Sequence, residues 1–381
     1  MKKLVPALIA LALLALGGCK SGMLYADMRE IDQLELIRTV GLDASGADVT
    51  ATAASGMRVG EGSPTVLENT SPTVARSMRL MQNYSSKKYI FYGHVKYLLI
   101  GEGAARAGLG KFLDYVERSV ELRLSTGLLI VKDGTANELI RLTSTESEST
   151  AELLASLEKD VRLMSESRVC SCGEAAESLA ESGTALVAAV RTERGDDGWR
   201  LASAGYAVLK DGRLAAFIDT DTARAVNLLT GEVEGDVTEV PDGRGGLAAL
   251  RVTSGKSSFD AEFCEGEPSR IIVDVRVKAN IEELRGGADP YSPDELAFLE
   301  RELASLEASR IERALGLMRE LECDYLGIGG KLRLRHPVKI DRLAGRLAES
   351  LAGAETEVRV EANIERTYDL GAPLRTDGGD G

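Results

Sequence analysis

The chain has 381 residues, 44% of them hydrophobic, and a formal net charge of −14. That length suits two or three domains with sizeable cores, and the acidic balance argues against nucleic acid, whose phosphates require a concentrated basic face. Aromatic content of 4%, with Trp199 the single tryptophan, argues against a sugar-stacking site, and no polybasic patch is expected to meet anionic lipid heads.

Lys2 and Lys3 open the chain, Leu4 to Leu16 is an apolar run broken only by Pro6, and Leu16-Gly17-Gly18-Cys19 follows. A basic start, a short apolar run and small residues at a cut make an export signal. The run is too short for a bilayer span, which needs about 20 residues. No later stretch is long and apolar enough either, so no transmembrane helix is expected. Leu16-Gly17-Gly18-Cys19 resembles a bacterial lipobox. The resemblance implies a diacylglyceryl thioether on Cys19 and cleavage just before it, giving a signal peptide over 1–18 and a lipidated tether over 19–28. Acyl burial contributes roughly 0.8 kcal/mol per methylene, so two or three chains anchor stably. The competing reading is an ordinary secretion signal with a chance cysteine.

Folded sequence is expected from Arg29. The stretch 29–36 reads as a short helix with Ile31, Leu34 and Leu36 inward, and Asp48 to Ala53 as a strand. Gly60 to Pro72 reads as a loop. A helix is expected over 73–84, then apolar strands at Tyr89–Tyr92 and Val95–Ile100. Ala104 to Arg118 reads as one helix with Leu109, Phe112, Leu113 and Val116 as its stripe. Leu124 to Val131 is a buried strand and Thr135 to Leu142 a short helix. Two more helices are expected over 149–161 and 173–182. This alternation argues a mixed α/β layer, closed by a domain boundary at 195/196.

Beyond it, two apolar runs flank Asp211-Gly212, a strong hairpin signal. Asp219 or Thr220 can cap a helix running to Leu229, with Gly231 after its end. From Leu247 antiparallel strands are expected. Val273, Val275, Val277, Ala279 and Ile281 alternate with polar residues, a sheet with one wet face. Ser292-Pro293-Asp294-Glu295 opens the longest helix, roughly 40 Å, stopped by Gly327 and Gly329. A helix over 341–351 and a strand over 357–364 close the fold. The expected class is therefore α+β: an N-terminal domain over 29–195 and a C-terminal domain over 196–381, the latter divisible into a 200–245 subdomain and a 246–370 helix-on-sheet subdomain.

Catalytic signatures are missing. No Gly-rich phosphate loop stands at a strand-to-helix turn and no Gly-x-Ser-x-Gly elbow occurs. His94 and His336 each stand alone in their segments, and His94 reads as structural. Acidic pairs such as Glu282-Glu283 fit a solvated face. No enzyme activity, cofactor or metal is expected. With Cys19 acylated, Cys170, Cys172, Cys264 and Cys323 remain. Export permits disulfides, and the three pairings of four thiols stay open. A bridge within Cys170-Ser171-Cys172 would be strained, so structural or unpaired thiols are expected.

Several stretches, in order, resemble the Ger(x)C lipoproteins, the C subunits of bacterial spore germinant receptors. They are the lipobox followed by Arg29-Glu30-Ile31; Tyr89 through Glu102, with Tyr92-Gly93-His94-Val95 at its centre; Phe112 to Arg118 running on to Leu124; Gly205 to Lys210 through Gly231; and the long helix ending in Asp324-Tyr325-Leu326-Gly327-Ile328-Gly329. Two details depart from the family. Tyr25-Ala26-Asp27-Met28-Arg29 replaces a Trp-Asp-Arg-like stretch, and no Trp follows the long helix. The resemblance implies a non-catalytic subunit held by Cys19 on the outer face of the spore inner membrane. It would assemble with A-type and B-type, transporter-like membrane subunits to support signalling in nutrient-triggered germination. The alternative is a solute-binding lipoprotein that captures a small ligand for a transporter; a surface hydrolase would need catalytic residues that are not found.

Overall fold

The computed structural model describes residues 29–366, apart from 57–62, 86–87, 146–147, 197, 234 and 287. Strands β1 (Leu34–Ser45), β2 (Asp48–Ser55) and β3 (Val66–Ser71) lead to helix α1 (Val74–Leu80). Then come β4 (Tyr89–Phe91), β5 (Tyr97–Gly101), α2 (Glu102–Ala107), α3 (Gly110–Arg118), β6 (Gly127–Val131), α4 (Ala136–Thr143), α5 (Thr150–Leu163), β7 (Cys170–Ser171) and α6 (Cys172–Ser182). β8 (Thr184–Gly195), β9 (Gly198–Lys210) and β10 (Arg213–Ile218) complete the first sheet, whose order is β10-β9-β8-β6-β5-β1-β2-β3. β4 pairs with the start of β1, and β7 with the start of β6.

Strands β1, β5, β6 and β8 are parallel, and antiparallel hairpins extend the sheet on both sides. The parallel strands read as continuous apolar runs because both faces are covered. Leu98, Ile100, Leu128 and Ile130 enter one core with α1, α2, α3 and α6. Tyr97, Leu99, Leu129 and Val131 enter another with α4 and α5. Local capping agrees with this layout: Ser149–Glu152 and Ser171–Glu174 form capping boxes at the starts of α5 and α6.

Three expectations fail in this half. The helix over 29–36 is instead one 3-10 turn, Ile31–Gln33, followed by β1. Ile31, Leu34 and Leu36 fit either period over so short a window. Pairing of 34–36 with Tyr89, Ile90 and Phe91 selects the strand and leaves Ile31 in solvent. The helix over 104–118 breaks into α2 and α3 at Gly108, which has φ +127. The loop expected over 60–72 contains β3, which pairs with β2 through Val66 to Ser71.

The second half adds α7 (Thr220–Thr230), β11 (Asp236–Pro241), the long β12–β13 hairpin (Leu247–Cys264, Glu267–Arg285) and helix α8 (Pro293–Leu321). Short helices α9 (Ile328–Arg335), α10 (Pro337–Asp341) and α11 (Leu347–Gly353) precede β14 (Glu355–Arg366). The strand order is β11-β12-β13-β14, with α8 on one face, so the class is α+β as expected. β14 runs parallel to β13, not antiparallel, because the long helical crossover returns the chain in the same direction. Within 341–351, Asp341 ends α10, 342–346 is turn and α11 begins at Leu347.

The 195/196 position lies at the turn between β8 and β9, and the first sheet runs on across it to β10. Asp219 caps α7 by accepting the Thr222 N–H, and Gly231 ends it in a left-handed conformation. Asp211-Gly212 makes the β9–β10 turn with φ +50 and +71. α8 ends earlier than expected, at Leu321, where Glu322 takes φ +46.

Leu299, Leu303, Ile311, Leu315 and Met318 form the buried stripe of α8, but Glu307 and Arg310 lie on the same face and are also buried. The Arg310 guanidinium meets Glu307 at 2.6 Å, donates to Asp221 of α7 at 2.9 Å and to Thr238 of β11 at 3.2 Å, and lies 3.8 Å from Asp236. Arg224 meets Asp236 from the other side at 3.2 Å. Burial pushes the Asp236 carboxyl up to about 6 despite both arginines, and burial likewise raises Glu307. The cluster thus ties α7, α8 and β11 together through Arg310 and Arg224. Arg310→Met is expected to cost about 3–5 kcal/mol, because it strands the buried Glu307 carboxylate and leaves Asp236 with Arg224 alone; the urea midpoint should fall with the slope unchanged.

Candidate functional site

The two halves face each other across a cleft of about 680 Å³. From the first half it is walled by α6 and the start of β8; from the second, by the end of α7 and the stretch from Asp324 to α11. Tyr206 of β9 lies at its base and organises the junction. Its hydroxyl accepts the Arg168 N–H at 2.8 Å and donates to Asn227 of α7 at 2.6 Å. Asn227 donates to the Ser165 carbonyl at 2.6 Å, and the Ser165 hydroxyl to the Gly235 carbonyl at 2.5 Å. Burial raises the Tyr206 phenol, so it stays protonated and able to donate. Arg168 also spans the halves, 3.2 Å from Glu174 and 3.7 Å from Glu232.

The far wall is set by the end of α8. Lys210 of β9 donates to the Leu321 carbonyl at 2.7 Å, occupying a helix-end acceptor. The Thr184 hydroxyl at the start of β8 donates to the Asp324 carbonyl at 3.4 Å. The Asp324 carboxylate accepts the N–H groups of Ile328 and Gly329 at 2.7 and 2.6 Å, which fastens the first turn of α9. Gly327 and Gly329, expected to stop the long helix, instead serve α9. Gly327 turns with φ +66, and a Cβ on Gly329 would lie 2.6 Å from Leu347.

The geometry assigns the sequence candidates as follows. Cys19 and the signal region lie outside the described residues. Cys170, Cys172, Cys264 and Cys323 are all free thiols, and Cys264 alone among them is exposed. Burial pushes the Cys170 and Cys172 thiols up to about 12 and Cys323 up to about 11, opposite to an activated thiolate. His94 packs against the Phe91 ring, with centroids 5.6 Å apart. His336, alone in its segment, meets Asp260 of β12 at 2.7 Å and the edge of Phe263. Glu282 pairs with Arg251 and Glu283 with Arg285. Among the described residues no group of three or more His, Cys, Asp or Glu side chains could hold a metal ion.

Two features escaped the sequence reading. One is the buried Glu307–Arg310 pair, whose signal was two charges on the apolar stripe of α8. The other is the stretch 331–346, which carries six Lys or Arg against one Asp and contradicts the expected lack of a polybasic patch. Overall net charge conceals it, because the remaining acids dilute its contribution.

Comparisons with known proteins agree on one family. The model for the spore germination protein N-terminal domain matches residues 27–192, and that for the spore germination B3/GerAC-like C-terminal domain matches 204–368. The putative spore germination protein YfkR of Bacillus subtilis is 23% identical over 303 residues, 77% of this chain and 74% of that protein. The crystal structure of the GerBC protein superposes with a TM-score of 0.60 at 17% identity, covering 85% of this chain and 96% of that one.

Two expectations are testable here. Thiol labelling of the folded protein should modify Cys264, while Cys170, Cys172 and Cys323 should react only on unfolding; labelling of Cys170 in the native state would contradict its burial. The second concerns pH. Burial outweighs the two backbone bonds and lifts Asp324 from an ordinary value near 3.8 to about 6. The folded state then holds a proton that the unfolded state has released. This contribution to stability is present at low pH and falls as pH rises from about 4 to about 6. Urea midpoints across that range should show Asp324→Asn gaining stability relative to wild type with rising pH.

Proposed function

Since the chain belongs to the Ger(x)C family of spore germination proteins, we propose that it is the lipid-anchored, non-catalytic C subunit of a germinant receptor. The observation that carries this reading is the succession of both family domains along one chain, over 27–192 and 204–368. A role in spore germination, within a membrane-associated receptor complex of several subunits, follows from the family. The finer assignment rests on physical chemistry. Among the described residues no helix is long and apolar enough to cross a membrane, and Leu16-Gly17-Gly18-Cys19 supplies a thiol in a lipobox-like setting. Lipid on Cys19 then holds the folded residues on the outer face of the spore inner membrane, next to A-type and transporter-like B-type subunits. Residues 19–28 form the tether, and 29–195 and 196–381 the two germination units.

The cleft gives the solute-binding alternative its one support. Capture of a solute by two lobes requires a hinge between them. Here β9 contributes side chains to the cores of both halves, which opposes such closure. The complex reading is therefore preferred.

In spores, wild-type chain should partition with the membrane and co-purify with two integral membrane subunits. Cys19→Ala should move into the soluble fraction and slow nutrient-triggered germination. Normal germination with the variant in the soluble fraction would overturn the proposal.

A further inference from the structure

The segment 331–346 concentrates positive charge in a chain of net charge −14. Lys331 turns inward to the Leu229 carbonyl. Arg333, Arg335, Lys339, Arg342 and Arg346 remain exposed on and beside α9 and α10. Two large apolar side chains stand among them, Leu334 at 86% and Val338 at 64% exposure. Three of the arginines have acidic neighbours: Arg333 with Asp341 at 3.0 Å, Arg335 with Asp260 at 3.2 Å, and Arg346 with Glu267 at 2.5 Å. Such exposed pairs are worth little and are readily exchanged for another anion. Exposed apolar residues set in basic surroundings suit a phospholipid surface: the apolar groups enter the acyl boundary and the cations meet phosphates.

The placement of the segment agrees. β1, β5, β6 and β8 are parallel, so the chain enters β1 at the end of the sheet where β8 begins. At that end Thr184 bonds Asp324, from which α9 starts. Val120, fully exposed, precedes β6 there, and Ile31, 73% exposed, precedes β1. The residues between Cys19 and Arg29 can span at most about 30 Å, which keeps this end near any bilayer that holds Cys19.

We propose that the basic face of α9 and α10, with Leu334 and Val338, docks on the anionic phospholipid surface to which the chain is anchored and sets the protein's orientation there. The inference rests on lipid anchorage as read above, and its test separates the two. Full-length lipidated protein is floated on phosphatidylcholine vesicles, with and without phosphatidylglycerol, and amide exchange is followed by mass spectrometry. Flotation on the neutral vesicles reads the anchor alone. Exchange over 331–346 should slow roughly tenfold only where phosphatidylglycerol is present, and the effect should fade at high salt. Leu334→Glu with Val338→Glu, both at exposed positions, should abolish the slowing while flotation and thermal unfolding stay as in wild type. Equal exchange on both vesicles overturns the proposal even if the protein floats. So does protection that appears only with the integral subunits present, which would make the face a protein contact.

Discussion

Strand β9 is buried on both faces by different cores, and the architecture depends on that arrangement. Ala207 and Leu209 point into the core under α2, α3 and α6, while Tyr206 and Val208 point into the core built by α7, α8 and the second sheet. Strand alternation makes the division, and a bulge lies directly beside it. Between the pairs Ala188–Tyr206 and Val190–Ser203 the register shifts, and Gly205 takes φ +75. A Cβ there would lie 2.1 Å from the Ile218 carbonyl oxygen, so glycine is needed for the backbones of β9 and β10 to approach. Tyr206 follows directly and carries the polar chain from Arg168 to Asn227. The two halves are thus joined by covalent chain, by the side chains that β9 gives to both cores and by a buried hydrogen-bonded hub.

Element types were largely legible where pattern and punctuation agreed. Val273 to Ile281 alternates cleanly, and its odd-numbered residues are buried while Asp274 and Arg276 face outward toward Arg359 and Glu361 of β14. Asp211-Gly212 and Gly231 fell where their left-handed conformations were expected. Failures came where local signals were ambiguous and partners distant in sequence decided. Residues 34–36 become a strand because Tyr89 to Phe91 lies alongside them. β14 runs parallel because α8 returns the chain. Ser292 sits at the N-cap of α8 without a side-chain bond, and Glu295 accepts the Asp289 N–H instead. At 193–197, where composition shifts, the first sheet runs on through the β8–β9 turn, since such turns use polar, glycine-containing residues.

The candidate site was less legible than the fold. Cys19 stands out in the sequence because a lipobox-like pattern occupies four consecutive residues, though it lies outside the described residues. The cleft could not, because Arg168, Tyr206, Asn227 and Asp324 come from four separate segments, two of them loops, and none is unusual in its own segment. Buried charge was hidden for a different reason. A helical stripe is read by its apolar members, and Glu307 with Arg310 looks like an ordinary surface pair at three-residue spacing. Their burial becomes intelligible only when Asp221, Asp236 and Thr238 arrive from α7 and β11.

On the proposed lipid anchoring, charge placement would let an acidic protein lie close to an anionic phospholipid surface. A uniformly negative surface would be repelled from anionic lipids at short range, with the repulsion decaying over a Debye length of about 8 Å in physiological salt. Segregating cations into one stretch lowers that barrier for one orientation only. In the second sheet most arginines are matched by carboxylates across strands, as Arg270 is by Glu262, Glu355 and Glu357. That face presents little net positive charge. The stretch from Lys331 to Arg346 instead holds an excess of cations, beside the end of the sheet at which β1 begins. An acyl chain fixes distance from the bilayer but leaves rotation free. In the proposed arrangement, a basic face near the anchor would supply the missing constraint and hold the cleft and the second sheet in one fixed relation to the membrane.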